Sequence, residues 1–229
     1  MIAILSDIHG NLPALQAVMH DALAQGCQRF ISLGDVVSYY AEPGECIDLL
    51  RKHRALNIMG NHDRYLVSGS NCPRSRAVSR MLAYQQTLVS AEQLAWLAQS
   101  PASYREGEYY FVHGGPEDPQ DQYLYQVSEE TIPADARILF SGHTHVQVLA
   151  EFATKIYCNP GSVGQPRDGD SRAAYAILAE GKIILQRVNY DIGKTVEKMK
   201  QAGFEPFFYT NLYLGAQIGG RIDKIDVIK

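Results

Sequence analysis

The sequence predicts an α/β fold built on a parallel sheet, and two observations carry that expectation. In the first third, short continuous apolar runs alternate with stretches of helical periodicity, the pattern of strand–helix–strand units joined by right-handed crossovers. From Tyr104 onward, short strand patterns separated by turn signals take over.

The elements follow in order. Ile2–Leu5 is a short apolar run of the kind found in a fully buried strand. Leu12, Leu15, Val18, Met19 and Ala22 recur at helical spacing, and Gly26 ends that helix. Arg29–Leu33 is a second strand, Cys46–Leu50 a short helix after Pro43-Gly44, and Ala55–Met59 a third strand. The stretch from about 64 to 100 reads as a helical insertion, with Leu94, Trp96 and Leu97 on an apolar face directed to the core. Strands are then expected at Tyr109–Val112, Ile138–Phe140, Val146–Ala150, Lys155–Cys158, Ala173–Leu178 and Lys182–Val188, with hairpin turns at Glu106-Gly107-Glu108 and Glu180-Gly181. Ile192, Val196 and Met199 mark a last helix stopped at Gly203. The aromatic tail after Phe204 is expected to dock on the core, because exposing so many rings would be costly. The expectation is one domain spanning 1–229, with a C-terminal helix and tail over about 191–229.

Hydrophobic residues make up 46% of the chain and charged residues 20%, which is enough apolar material for a well-filled core. A net charge of −4 argues against a protein that coats nucleic acid, since neutralising phosphate drives that binding. No run approaches the length that spans a bilayer, and the opening apolar run stops at Ser6-Asp7, short of a secretory signal. Cys27, Cys46, Cys72 and Cys158 lack CxxC spacing and read as reduced thiols. The expected location is therefore the cytoplasm, with no membrane partner and no stable nucleic-acid binding.

Five short clusters carry the chemistry, and each falls directly after an apolar run. They are Asp7-Ile8-His9, Gly34-Asp35, Gly60-Asn61-His62-Asp63, His113-Gly114 and Gly142-His143-Thr144-His145. In open α/β sheets ligands bind at the carboxyl ends of the strands, so these side chains are expected in one cleft. The glycines beside Asp35, Asn61 and His143 are expected to let the backbone turn sharply.

Asp7, His9, Asp35, Asn61, His113, His143 and His145 together offer carboxylate oxygens, an amide oxygen and imidazole nitrogens. That mixture suits Mn, Fe, Zn or Ni, whereas calcium takes oxygens. Seven donors are too many for one ion and about right for two, if one carboxylate bridges. Two dications held by Asp7 and Asp35, with neutral Asn61 and a bridging hydroxide, leave a net positive centre that attracts phosphate. His62 follows Asn61 and so is expected to point elsewhere, toward a leaving oxygen that it could protonate. Asp63 either orients His62 or caps the following helix.

The ordered set Asp-x-His, Gly-Asp, Gly-Asn-His-Asp, His-Gly and Gly-His-Thr-His, spanning Asp7 to His145, resembles the full signature of the calcineurin-like metallophosphoesterases. The resemblance implies a four-layer α-β-β-α sandwich with the site at the strand ends. It implies one metal held by Asp7, His9, Asp35 and His145. A second would be held by Asp35, Asn61, His113 and His143, with Asp35 bridging. His62 would be the catalytic acid, and a metal-bridging hydroxide would attack phosphorus. Gly34–Tyr40 and Asn159–Arg167 look like the small prokaryotic subgroup that includes the YfcE-like phosphodiesterases and some dinucleoside polyphosphate hydrolases. The implied substrate is a small phosphodiester or nucleotide anhydride, and the expected ions are Mn²⁺ or Fe.

Other readings stand beside this one. A phosphomonoesterase or phosphoprotein phosphatase would share the core chemistry, but Asp35 is followed by Val36-Val37-Ser38-Tyr39 and not by the Asp-Arg-Gly pattern of the large protein phosphatases. A catalytically silent scaffold resembling the retromer subunit Vps29 has no need of an intact donor set. Tyr39 and Tyr40 are either loop packing or a stacking surface beside the metals, with Tyr40 a candidate substrate contact. Arg64 and the Arg74–Arg80 group either grip a second phosphate or are solvated charge. Asn159–Gly164 is either a plain turn or the cleft floor, with Ser162 or Arg167 near substrate. His20 and His53 have no partner spacing and read as ordinary helix or surface histidines.

Overall fold

A computed structural model describes residues 1–229. Two five-stranded mixed sheets face one another. The first holds β1 (Ile2–Leu5), β2 (Arg29–Ser32), β3 (Leu56–Asn57), β10 (Ala173–Ala179) and β11 (Lys182–Val188), in the order β11-β10-β1-β2-β3. The second holds β4 (Ser103–Glu106), β5 (Tyr109–Val112), β7 (Ile138–Phe140), β8 (Gln147–Glu151) and β9 (Ile156–Pro160), in the order β4-β5-β7-β9-β8. The central strands β1, β2 and β3 run parallel, as do β5, β7 and β9. Both expected hairpins form, β4 with β5 and β10 with β11.

The two-residue period of a strand sorts its side chains between layers. In β1, Ile4 points between the sheets while Ala3 and Leu5 point to the helices. In β7, Ile138 and Phe140 point between the sheets while Leu139 faces the other way. Between the sheets Phe111 and Phe140 stack with centroids 4.8 Å apart. Every central strand is thus buried on both faces, which is why these runs read as continuous apolar segments.

Over the first sheet lie α1 (Leu12–Ala24), α2 (Pro43–Lys52), α3 (Asn61–Ser68), α4 (Arg76–Gln86) and α5 (Ala91–Ala98). The insertion therefore begins at Asn61, and its three helices share the core beneath α1 through Tyr65, Leu66, Val78, Leu82 and Leu97. Trp96 is half-buried at the margin of that core, while Leu97 is fully inside it. Over the second sheet the covering layer is mostly irregular chain. Segment 114–136 contributes one 3₁₀ turn (Glu129–Thr131) and β6 (Gln126–Val127), which pairs with β12 (Asp226–Val227).

The last helix, α6 (Ile192–Gln201), and the aromatic tail do dock. Phe204, Phe208, Tyr209 and Leu212 bury against Met81, Tyr40, Val196 and Met199. The third strand is shorter than its apolar run suggests. Ile58 and Met59 leave the ladder to bring Gly60 against Asp35, where a Cβ on Gly60 would lie 2.1 Å from Oδ1.

Candidate metal centre

All five clusters lie just beyond the carboxyl ends of β1, β2, β3, β5 and β7, and the two facing sheets bring them together. Asp7, His9 and His145 place donor atoms within 4.8 Å of one another, as do Asp35, His113 and His143. Asp35 joins the two groups: its Oδ2 lies 3.8 Å from His9 Nε2 and 3.4 Å from His113 Nε2. Asn61 Oδ1 lies 3.1 Å from His113 Nε2. All seven side chains are buried, none more than 2% exposed.

The histidines are oriented from behind. His9, His113 and His145 each direct Nδ1 to a backbone carbonyl, of Val37 (2.8 Å), Leu33 (3.0 Å) and Gln165 (2.7 Å). A ring that donates its Nδ1–H keeps its lone pair on Nε2, and all three Nε2 atoms face the centre. Facing nitrogens lie 3.1 Å apart between His9 and His145, and 3.0 Å apart between His113 Nε2 and His143 Nδ1. Asp7 Oδ1 is buried without any hydrogen-bond donor, 3.2 Å from His145 Nε2. Converging lone pairs and an unpartnered buried carboxylate oxygen need a cation between them, and these residues fit divalent metal.

The electrostatics agree. Burial opposes ionisation of Asp7, yet His145 holds it well below the usual carboxylate range. Burial likewise opposes ionisation of Asp35, and His113 and His62 hold it well below the usual range. Burial pushes His9, His143 and His145 down, so these rings are neutral and free to offer lone pairs at physiological pH. His113 alone goes up, to about 9: burial opposes the proton, but Asp35 and Asp7 draw it in. A metal at His113 Nε2 would therefore compete with a proton for the same lone pair.

Left-handed backbone sets this geometry. Asp7, His9, Asp35, His143 and His145 have φ of 53°, 55°, 55°, 64° and 61°. Non-glycine residues adopt this region uncommonly, and such strain collects at functional sites. The strain sits on the candidate donors themselves and only in part on their glycine neighbours. Gly34 does have positive φ (100°), but Gly60 and Gly142 serve by allowing close approach. A Cβ on Gly142 would lie 2.0 Å from Ser6 Oγ, which donates to Asp7 Oδ2.

His62 stands at the edge of this cluster, 7% exposed, with Nε2 3.8 Å from Asp35 Oδ2 and Nδ1 without a protein partner. Burial lowers it to about 4 despite the attraction of Asp35, so in this structure it is neutral at pH 7. Asp63 makes no hydrogen bond to His62, which corrects the expectation that it orients that ring. Its carboxylate accepts the N–H groups of Asp35, Val36, Val37 and Gly60 at 2.9–3.3 Å, so it fixes the Asp35 turn. Burial, then the charge of Asp35, raise Asp63 to about 7.

Tyr40 is also corrected as a substrate contact. It is fully buried beneath the aromatic tail, and its hydroxyl accepts from Gln165 Nε2 at 3.0 Å. Its neighbour Tyr39 is the ring beside the site, with centroids 4.6 Å from His9 and 5.3 Å from His62. Arg64 is 44% exposed and is paired with Asp121, outside the donor cluster. Arg74 shares that carboxylate, and Arg80 pairs with Glu205. The loop Asn159–Arg167 is a floor and not a plain turn. Ser162 Oγ donates to Asp7 O and accepts from Gln165 N, and Asn159 Nδ2 donates to Gly142 O and Thr144 Oγ1. Tyr123, which sequence reasoning missed, stacks on His143 at 3.8 Å. It lies in an irregular segment with no periodicity to point at it.

The calcineurin-like phosphoesterase superfamily domain matches residues 1–182. The chain is 32% identical to the uncharacterized protein MJ0912 of Methanocaldococcus jannaschii, over 94% of this chain and 98% of that one. It is 27% identical to phosphodiesterase YfcE of Escherichia coli K12, over 76% of this chain and 84% of that protein. Among solved structures it resembles a metallophosphoesterase from Sphaerobacter thermophilus, with TM-score 0.83 and 33% identity, over 93% of this chain and 99% of that one.

Proposed function

We propose, from the premise that the chain belongs to the calcineurin-like phosphoesterase superfamily and is a metal-dependent phosphoester hydrolase, that it uses two divalent ions to hydrolyse small phosphodiesters or nucleotide anhydrides. One observation carries this reading: two groups of buried lone-pair donors share a single carboxylate, Asp35. Asp7, His9, Asp35 and His145 would hold one ion, and Asp35, Asn61, His113 and His143 the other. When bound, such ions supply positive charge for the phosphoryl oxygens and lower the pKa of water.

The chain's own residues do the rest. Backbone carbonyls fix the tautomers of His9, His113 and His145, Asp63 fixes Asp35, and the 159–167 floor fixes Asp7 and His145. Hydrolysis joins a water oxygen to phosphorus, and the bond to the leaving oxygen breaks with its electron pair on that oxygen. His62 would serve it: its ring stands at the edge of the donor cluster and its Nδ1 has no protein partner. A neutral ring donates a hydrogen bond there, and an approaching phosphate anion favours its protonation. The intact donor set and His62 argue against a scaffold, and Mn²⁺ suits the mixed oxygen and nitrogen ligands.

The test is metal-free protein titrated with Mn²⁺ on bis-p-nitrophenyl phosphate, p-nitrophenyl phosphate and diadenosine tetraphosphate. Turnover that needs metal and favours the diester or the anhydride is expected. A preference for the monoester would replace this reading with a phosphomonoesterase. His62→Ala should lower turnover by roughly 10²–10⁴ while leaving metal content unchanged. Unchanged turnover in that variant removes the acid assignment.

A further inference from the structure

A cavity of about 460 Å³ opens directly beside the metal centre. Its walls include Tyr39, Tyr123, Tyr125, Phe207, Ile218 and Arg167. Two of these rings touch metal-site histidines: Tyr39 lies edge-on to His9 and Tyr123 stacks on His143. Phe207 and Ile218 come from the C-terminal tail, beyond residue 182 where the superfamily domain ends. The tail is tied to the site loop, since Asp223 N donates to Arg167 O at 2.7 Å and Gly169 N to Gly215 O at 2.9 Å.

Arg167 is the informative residue. It is 6% exposed, and its guanidinium has no carboxylate partner. It donates to Gln165 Oε1 (2.7 and 3.0 Å) and to the Tyr39 hydroxyl (3.2 Å), both neutral acceptors. The other two arginines of this cavity have carboxylate partners, Arg74 sharing Asp121 with Arg64 and Arg221 pairing with Asp223. Buried charges are ordinarily paired, so a buried, unpaired guanidinium on a cavity wall calls for an anion from outside the protein. Its guanidinium bonds the hydroxyl of Tyr39, whose ring packs against His9 and His62, so this anion position lies on the same side of the cavity as the donor cluster.

Resting on the proposed phosphoesterase reading, we infer that this cavity is a nucleotide subsite: Arg167 takes a second phosphate, and the tail-walled aromatic box takes the base. A phosphate at the metals and a neighbour at Arg167 describe a nucleoside oligophosphate or a dinucleotide anhydride better than a simple diester. A cavity of this size admits a mononucleotide-sized group and excludes a folded protein surface. Tyrosine and phenylalanine faces stack on any base, so the subsite selects for a planar ring without specifying which one.

The experiment is calorimetric titration of the full chain, stripped of metal with chelator, where Arg167 is the unpaired cationic anion receptor. The probes are AMP, ribose 5-phosphate, adenosine and O-phosphotyrosine. AMP should bind at least tenfold more tightly than ribose 5-phosphate or adenosine. Arg167→Gln should weaken AMP at least tenfold with little effect on adenosine. Phe207→Ala, at a residue 56% exposed and so safe for folding, should weaken AMP and adenosine alike and spare ribose 5-phosphate. Equal binding of AMP and ribose 5-phosphate, or full AMP affinity in Arg167→Gln, overturns the subsite. Equal binding of O-phosphotyrosine overturns the nucleotide class. Metal-dependent turnover of bis-p-nitrophenyl phosphate is measured in parallel. If it persists without AMP binding, this inference alone falls; if it is absent with every metal, the phosphoesterase reading falls.

Discussion

Replacing Asp35 by asparagine tests the shared-carboxylate geometry most directly. Asp35 Oδ1 accepts the His62 N–H at 2.9 Å, and an asparagine oxygen keeps that bond. Its other oxygen faces His9 and His113, and that side of the group loses its charge. The metal-free variant should still fold but melt somewhat lower at neutral pH, because, despite burial, His113 and His62 hold the Asp35 carboxylate well below its usual range and that charge pairing is lost. Metal changes the comparison. An ion present at 100 times its Kd stabilises the native state by about 2.7 kcal/mol, which for a chain of this length is roughly 5–11 °C of melting temperature per site. If losing the shared charge weakens each site about 100-fold, the same ion concentration yields only about 0.4 kcal/mol per site, or roughly 1–2 °C. The assay is thermal unfolding by circular dichroism with and without Mn²⁺, on wild type and Asp35→Asn. A metal-dependent shift of equal size in the two proteins refutes the reasoning, because Asp35 would then bind no ion.

The remaining predictions concern parts around the ligands. Asp63→Asn leaves backbone N–H groups of the Asp35 turn without their acceptor, so it should cost about 1–3 kcal/mol in denaturant unfolding and lower metal affinity without touching His62. Gly60→Ala places a Cβ 2.3 Å from Asp35 N, so it should destabilise by about 1–3 kcal/mol and reduce metal content by elemental analysis, although its own φ is ordinary for alanine. Tyr40→Phe removes only the hydroxyl that Gln165 meets, so it should cost about 1–3 kcal/mol in stability. Its KM for any substrate should stay within about twofold, a difference of roughly 0.4 kcal/mol, and a larger rise would restore Tyr40 as a substrate contact.

The donor set was legible because parallel topology makes position informative. A residue that follows a fully buried strand lands at one sheet edge, and five such positions in two facing sheets meet. Tyr39 and Tyr40 show where legibility stops. Ser38 and Tyr39 take φ of 76° and 58°, so the chain follows neither strand nor helix periodicity, and nothing in the order of two tyrosines says which faces the site. Asp63 was ambiguous for a different reason. An aspartate in a first helical turn always has a local use, and whether it also reaches a neighbouring turn depends on a packing between β2 and β3 that the local sequence does not encode. Tyr123 and the irregular layer over the second sheet were silent because they carry no repeat at all.

The strained ligands and the interlocked turns belong to one argument. Five of the proposed ligands sit in the left-handed region, each at a cost on the order of 1–3 kcal/mol, and the turns hold them there together. Asp7 N donates to Gly34 O, His9 N to Asp35 O and Gly10 N to Val36 O, while Gly164 N closes on Asp7 O. The turns of Asp7, His9 and Asp35 cannot relax their φ without breaking bonds to one another. This bears on how substitutions here should be read. Alanine at Asp7, His9 or His143 removes a donor and also leaves a residue poorly suited to positive φ, so activity and stability fall together and the loss cannot be assigned. Asparagine tolerates the left-handed region and carries no charge. At these positions it separates the chemistry of the ligand from the conformation that the ligand's own backbone maintains.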